Sequence, residues 1–181
     1  MNGQTHIALG LIAAHALGAG DVASLAGAAL GSLLPDIDGG GAIARPLESL
    51  LPKVLPRLPI IKAVDSLAST LSGAIRRVFG HRGVTHWPPI VAVGLGLVGL
   101  QSDFVLYFAL GWLVHIYADG LTKNGVRLGL LGDRFKLPKW VAVRTGGMME
   151  AVISACAWGY LAAIASQFVW KYVLGVLEVS F

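Results

Sequence analysis

The chain has 181 residues with a formal net charge of +4; 55% of them are hydrophobic, only 13% are charged, and the mean hydropathy is +0.71. Because a soluble domain carries about 25% charged residues, this composition excludes an ordinary soluble protein and favours one membrane-embedded domain over residues 1–181. The single cysteine, Cys156, excludes an intrachain disulfide and a cysteine-rich zinc site, and its apolar surroundings predict a packing role.

Five apolar blocks follow one another along the chain. They are Ile7–Gly20, Val22–Leu34, Ile90–Leu100, Phe104–Ile116 and Ala151–Trp170. The first four are short, at 11 to 14 residues, or about 17–21 Å of helix against a hydrocarbon core of about 30 Å. They are either tilted hairpins that thin the bilayer or helices extended by their flanks. The last block has 20 residues and is long enough to span. The opening MNGQTH lacks a positive n-region, so the first block is expected to be retained.

The basic residues predict how the helices are oriented. Seven of the 14 Lys and Arg residues fall in the range 35–87, and six fall in the range 117–147. If residues 7–34 and 88–116 each form a helical hairpin, both basic segments emerge on the same side of the membrane. The positive-inside rule makes that side cytoplasmic. The chain is therefore predicted to be a multi-pass protein of the inner (cytoplasmic) membrane.

The segment 45–79 is broken by prolines at its start and becomes a candidate amphipathic helix from Ile60. Its apolar stripe consists of Ile61, Val64, Leu67, Ala68 and Leu71. Such a helix lies at the membrane interface or covers a site. The predicted fold is therefore all-α, an integral membrane bundle of about five short helices with one interfacial amphipathic helix.

Eight residues with metal-binding side chains fall on the predicted basic side. They are His6, Asp36, Asp38, His81, His86, His115, Asp119 and Glu150. His115 and Asp119 are four residues apart, so a helix places both on one face. Ionisable groups at the end of a membrane helix are candidates for function by default. The alternative is a hydrogen-bonded pair that closes the helix.

The other candidates also have simpler explanations. Asp36 and Asp38 precede three glycines, and they could either hold cations or stop a helix in Asx-type turns. His81 and His86 could be ligands, or they could be interfacial histidines beside Thr85, a possible N-cap.

Single polar residues carry weaker signals. His6 taken alone is a weak candidate, and Glu150 could simply favour a helix N-terminus through the helix dipole. His15 has no carboxylate four residues away and is predicted to be packing. Asp21 and Asp103 are predicted to lie in solvent-exposed turns between helices.

Together, four histidines and four carboxylates suit a site of two or three divalent ions, because one catalytic zinc uses about three protein ligands and a water. Zinc fits best, and mixed imidazole and carboxylate ligands also permit manganese or iron. Paired ions about 3.5–4 Å apart clamp the attacking and leaving oxygens of a phosphoester. Arg82 and Arg45 could bind phosphate oxygens. The alternative is that they serve only to orient the protein in the membrane.

Five motifs in this order resemble one family. They are GQTHIALG, SLLPDIDGG, FGHRGVTH, GWLVHIYADGLTKNG and RTGGMMEAV, from about residue 3 to residue 155. Together they look like the YdjM-like, LexA-regulated, membrane-bound metal-dependent hydrolases. The resemblance implies that the eight residues named above form the metal site, with Arg82, Thr85, Thr122 and Gly125 in support. It also implies a distant similarity to zinc-dependent phospholipase C and the P1-type nucleases, hence hydrolysis of phosphodiesters or phospholipids.

The sequence thus predicts a membrane-bound hydrolase in which metal-activated water attacks a phosphoester at the cytoplasmic face. Asp36 or Glu150 would be the general base, and Arg82 would stabilise the charge of the transition state. The expected partners are anionic lipid headgroups and a phosphoester substrate, with no sign of nucleic-acid recognition. A non-catalytic scaffold stabilised by metal is the alternative. A proton or ion conductor would need ionisable groups through the depth of the membrane. It is disfavoured, because His15 is the only such candidate away from the basic face.

Overall fold

The computed structural model describes residues 1–39, 102–127 and 134–178, together with positions 66, 70, 73, 77, 94 and 97. These residues include four α-helices. They are α1 (Gly3–Ala16), α2 (Val22–Leu33), α3 (Asp103–Gly120) and α4 (Met148–Glu178). The described residues therefore confirm the predicted all-α fold class, with four helices among them. The predicted block Ile90–Leu100 lies outside the described residues, apart from two helical positions, Gly94 and Leu97.

Short elements cover the end of the helices near the candidate site. A 3-10 helix, Leu34–Gly39, continues directly from α2. After α3, strands β1 (Val126–Arg127) and β2 (Arg134–Phe135) pair antiparallel, with Val126 opposite Phe135. The Phe135 ring packs against Gly120, so this hairpin covers the C-terminal end of α3.

Helices α1 and α2 form the hairpin that the first two apolar blocks predicted. The Asn2 side chain caps α1 by accepting a 2.9 Å hydrogen bond from the Thr5 amide. The helix ends at Ala16, earlier than the apolar block, because Gly18 has a φ of 93° that terminates it. Asp21 then caps α2. The hydrogen bond from the Ser24 hydroxyl lowers the pKa of the Asp21 carboxyl, because it stabilises the charged form of this cap.

Helices α2 and α3 run parallel, and their backbones touch through glycines. A Cβ atom on Gly27 would clash with the carbonyl oxygen of Phe104, and one on Gly31 would clash with that of Phe108. Gly111 of α3 lies equally close to the backbone of α2. The spacing of Gly27 and Gly31 is the small-xxx-small pattern that lets membrane helices approach closely.

Helix α1 runs antiparallel to α2 and α3. Gly10 packs against the Ser32 side chain, and the Tyr107 hydroxyl donates a 3.1 Å hydrogen bond to the carbonyl of Leu17 at the α1–α2 turn. Around Ala14 and Ala28 these helices enclose a small apolar core. The N-terminus of α1 and the C-termini of α2 and α3 consequently meet at one end of these three helices.

Helix α4 contains the candidate membrane span. Its residues Met148–Gln167 are long and apolar enough to cross a bilayer, with a mean hydropathy of 1.5, and little of this segment is buried against the protein. It is the one such helix among the described residues. The predicted span Ala151–Trp170 is therefore placed correctly, although α4 extends to 31 residues, or about 46 Å.

Two packing predictions were wrong. His15, in the last turn of α1, is exposed. Cys156 is also exposed, on the outer surface of α4. Both lie on exposed helix faces, which a short apolar run does not distinguish from buried ones.

The predicted amphipathic segment is described at a few positions only. Ser66, Thr70, Gly73 and Arg77 are helical and exposed, and the Thr70 hydroxyl donates a 2.9 Å hydrogen bond to the Ser66 carbonyl. The apolar stripe predicted for this segment lies outside the described residues.

Candidate metal centre

Three of the predicted ligands meet where the helix ends converge. His6 comes from the first turns of α1, and His115 and Asp119 come from the last turns of α3. Each offers a ligand atom, and these atoms lie within 4.8 Å of one another. The three side chains are 0%, 0% and 1% exposed. Burying three ionisable groups together is costly unless they bind one another or a cation.

The contacts within this cluster are close. The rings of His6 and His115 stack with their centroids 3.8 Å apart and their planes 22° from parallel. Nε2 of His6 lies 3.3 Å from Oδ1 of Asp119, and Nε2 of His115 lies 3.9 Å from Oδ2. The i, i+4 spacing of His115 and Asp119 therefore places both on one helix face, as predicted.

The carbonyl of Ser32 sets the tautomer of His115. Nδ1 of His115 lies 2.7 Å from this carbonyl oxygen, which can only accept a hydrogen bond. Nδ1 therefore carries a proton, and Nε2 is the ring nitrogen that faces the carboxylates of Asp36 and Asp119. A backbone carbonyl that orients a histidine in this way is typical of metal sites.

The environment of His6 fits a cation. Nδ1 of His6 has no hydrogen-bond partner among the described residues, and Nε2 has the 3.3 Å contact with Asp119, although the ring is fully buried. A buried polar atom without a hydrogen bond is uncommon in folded proteins, and coordination of a cation would satisfy one of these nitrogens. Two imidazoles and one carboxylate are a usual ligand set for zinc, and also for iron or manganese.

Asp36 lies at the edge of this cluster. Its Oδ1 is 3.7 Å from Nε2 of His115, and its side chain is 27% exposed, in contrast to the buried three. The backbone of Asp38 lies in the same 3-10 helix, Leu34–Gly39. Asp36 is therefore the predicted site residue that connects the cluster with solvent.

Glu150 is also buried, and its carboxylate is hydrogen-bonded to backbone amides. One carboxylate oxygen accepts a hydrogen bond from the Asn2 amide, and the other accepts a 2.6 Å hydrogen bond from the Gly146 amide. The neighbouring α-amino group of Met1 lies 2.6 Å from Oδ1 of Asp119. Glu150 thus fixes the start of α1 against the start of α4, and it is not one of the three clustered ligands.

Replacing Glu150 with glutamine is expected to destabilise the protein by about 2 kcal/mol, because an amide group can accept only one of the two backbone hydrogen bonds. Thermal unfolding in detergent would measure the loss. Asp103→Asn, at the exposed start of α3, is the matched control and should change stability by less. Equal melting temperatures for the two variants would contradict this role of Glu150.

Two residues implied by the family resemblance support the site. The Thr122 hydroxyl is buried and donates a 2.7 Å hydrogen bond to the carbonyl of Asp119, which closes α3 just after the ligand. Gly125 has a φ of 62°, and a side chain there would clash with the backbone of Phe135. Both residues shape the turn that follows the cluster of His6, His115 and Asp119.

Other predicted residues remain untested. His81, Arg82, Thr85 and His86 lie outside the described residues, so their part in the site stays a prediction. The sequence interpretation missed the Ser32 carbonyl, because a backbone acceptor has no signature in the residue type.

Comparison with known proteins supports a membrane assignment. Neither the curated proteins nor the solved structures contain a match to this chain. One family model, described as YdjM inner membrane protein, matches residues 1–181. The five motifs and the helix α4 agree with that match. The chain therefore belongs to the YdjM inner membrane protein family.

Proposed function

We propose that this protein is a membrane-bound, metal-dependent hydrolase of phosphoester or phospholipid-type substrates. The observation that carries the proposal is the buried cluster of His6, His115 and Asp119, with His115 oriented by the Ser32 carbonyl. These groups would hold a divalent ion, with zinc the best match to the ligands and manganese or iron also suitable.

The position of the cluster supports a site on the cytoplasmic side. The basic segment between α3 and α4 follows directly from the end of α3 that carries Asp119. Under the positive-inside rule this end faces the cytoplasm, and α4 leaves it to cross the bilayer. Helices α1, α2 and α3 are proposed to cross the membrane as a multi-pass bundle, with the N-terminus of α1 and the C-termini of α2 and α3 on the cytoplasmic side.

When bound, the ion would act as a Lewis acid and would lower the pKa of water near it. The protein's own contribution is ligand geometry, fixed by the Ser32 carbonyl and the packing of α2 on α3. Asp36 is the proposed general base, because its carboxylate is partly exposed and adjacent to the cluster. Glu150 is a weaker candidate for this role, since both its oxygens accept backbone hydrogen bonds.

The proposal includes a second or third ion. Asp38, His81 and His86 would supply further ligands, and Arg82 would bind the phosphate and stabilise its developing charge. Three protein ligands hold one catalytic zinc, so these additional groups suit additional ions.

A scaffold stabilised by metal is the second candidate. The observation in its favour is burial, because His6, His115 and Asp119 are almost inaccessible to solvent. A structural site closes its coordination sphere with protein ligands, whereas a catalytic site keeps one position open. The two functions therefore differ in whether a metal-loaded protein hydrolyses anything.

The Asp36→Asn variant tests the proposed function. We expect it to retain its metal and to lose hydrolysis by at least about a hundredfold, because general base catalysis contributes about 10²–10⁴ in rate. Metal content would be measured by mass spectrometry, and hydrolysis with bis(p-nitrophenyl) phosphate and with phosphatidylglycerol in mixed micelles. A metal-loaded wild type that is inactive on every phosphoester would favour the scaffold. An unchanged rate in the variant would exclude Asp36 as the base.

A further inference from the structure

A second polar feature is formed by residues that follow α3 and precede α4. Lys123, Asn124, Arg144 and Thr145, all exposed, line an open surface pocket of about 390 Å³. This volume falls within the range of pockets that hold small ligands, about 300–1,000 Å³. The proposed mechanism does not use any of these four residues.

Backbone hydrogen bonds hold the two sides of this pocket together. The Lys123 amide donates to the carbonyl of Val143 at 3.0 Å, and the Val143 amide donates to that of Leu121 at 3.0 Å. On the far side, the Gly147 amide donates to the carbonyl of Arg144 at 2.9 Å. The positions of the two cationic residues on the pocket wall are therefore fixed by main-chain contacts.

The charges of this pocket are not neutralised by the described residues. Neither Lys123 nor Arg144 has a carboxylate partner or a side-chain hydrogen bond among them. The nearest acidic residues in the sequence point elsewhere, since Asp119 contacts His6 and Glu150 binds backbone amides. The lining thus offers two positive charges, an amide and a hydroxyl.

We infer that this pocket binds a phosphate group, carried by the substrate or by a neighbouring lipid headgroup. Guanidinium and ammonium groups form strong, charge-assisted hydrogen bonds with phosphate oxygens. Thr122 bonds to the carbonyl of Asp119 and directly precedes Lys123, so the pocket residue Lys123 follows the cluster closely along the chain. The inference rests on the proposed function only in assigning the phosphate to a substrate.

Calorimetric titration of the detergent-purified, full-length protein with inorganic phosphate tests this inference after a chelator has removed any metal. Wild type is expected to bind phosphate, and Lys123→Met and Arg144→Met should each weaken it about tenfold, the equivalent of one charge-assisted hydrogen bond. Lys139→Met is the matched control, because it removes the same charge from an exposed position outside the pocket. Its affinity should equal that of wild type.

Repeating the titration in nanodiscs distinguishes the two sources of phosphate. Weaker phosphate binding in phosphatidylglycerol discs than in phosphatidylcholine discs would identify a lipid headgroup as the occupant, and equal binding would identify a soluble phosphate. No binding to wild type, or the same affinity in all four proteins, would overturn the inference. Because the protein is free of metal, these outcomes do not depend on hydrolysis.

Discussion

His115→Ala is expected to lower the affinity for divalent metal by at least about a hundredfold. The variant removes a ligand, and the loss of a residue that merely orients a ligand already costs about 10–100-fold. Asp119→Asn should have a similar effect while it preserves the shape of the side chain. Metal content of the detergent-purified proteins, measured by mass spectrometry, gives the result directly.

The control for this experiment is His15→Ala. His15 is an exposed histidine on α1, so its replacement removes an imidazole of the same kind away from the cluster. We expect its metal content to match that of wild type. If wild type remains folded without metal and takes up none on dialysis against zinc or manganese, the metal centre itself is refuted.

Gly31→Ala is expected to destabilise the protein by about 3 kcal/mol. The added methyl group would clash with the carbonyl oxygen of Phe108, and a backbone atom cannot move aside without separating α2 from α3. The separation would also shift the Ser32 carbonyl away from His115, so metal content should fall together with stability. Thermal unfolding and metal analysis of one preparation would report both effects.

Gly159→Ala provides the matched substitution. Nothing lies within 4 Å of a methyl group added at Gly159, which is exposed on α4. Its stability should stay within about 1 kcal/mol of wild type, the difference in helix propensity between the two residues. A loss as large as that of Gly31→Ala would mean that the contact between α2 and α3 does not explain the effect, because helix propensity alone favours alanine over glycine.

Periodicity and spacing predicted the parts of the fold that depend on local sequence. The apolar blocks gave α1 and α2 with Asp21 at their turn, and the long last block gave the span within α4. The four-residue separation of His115 and Asp119 was enough to place both on one helix face. These features follow from the geometry of one helix at a time.

The remaining features depend on contacts between segments distant in sequence. The spacing of Gly27 and Gly31 signals close helix packing, but it does not say which helix is the partner. The Ser32 carbonyl could not be assigned before α2 and α3 were placed side by side. From the sequence, Lys123 and Arg144 indicate only the orientation of the chain in the membrane. Their shared pocket could not be predicted, because main-chain pairing between segments some twenty residues apart brings them together.

Among the described residues, Glu150 and the buried Ala157 attach the first turns of α4 to the rest of the molecule, and the backbone of this helix continues to Glu178. A fusion partner joined in helical register to its far end would be held rigidly at a distance from the metal cluster. A chain of 18.9 kDa is small for single-particle electron microscopy. Such a fusion would add mass and a recognisable outline. It would also leave the partly exposed Asp36, at the edge of the cluster, accessible to substrate.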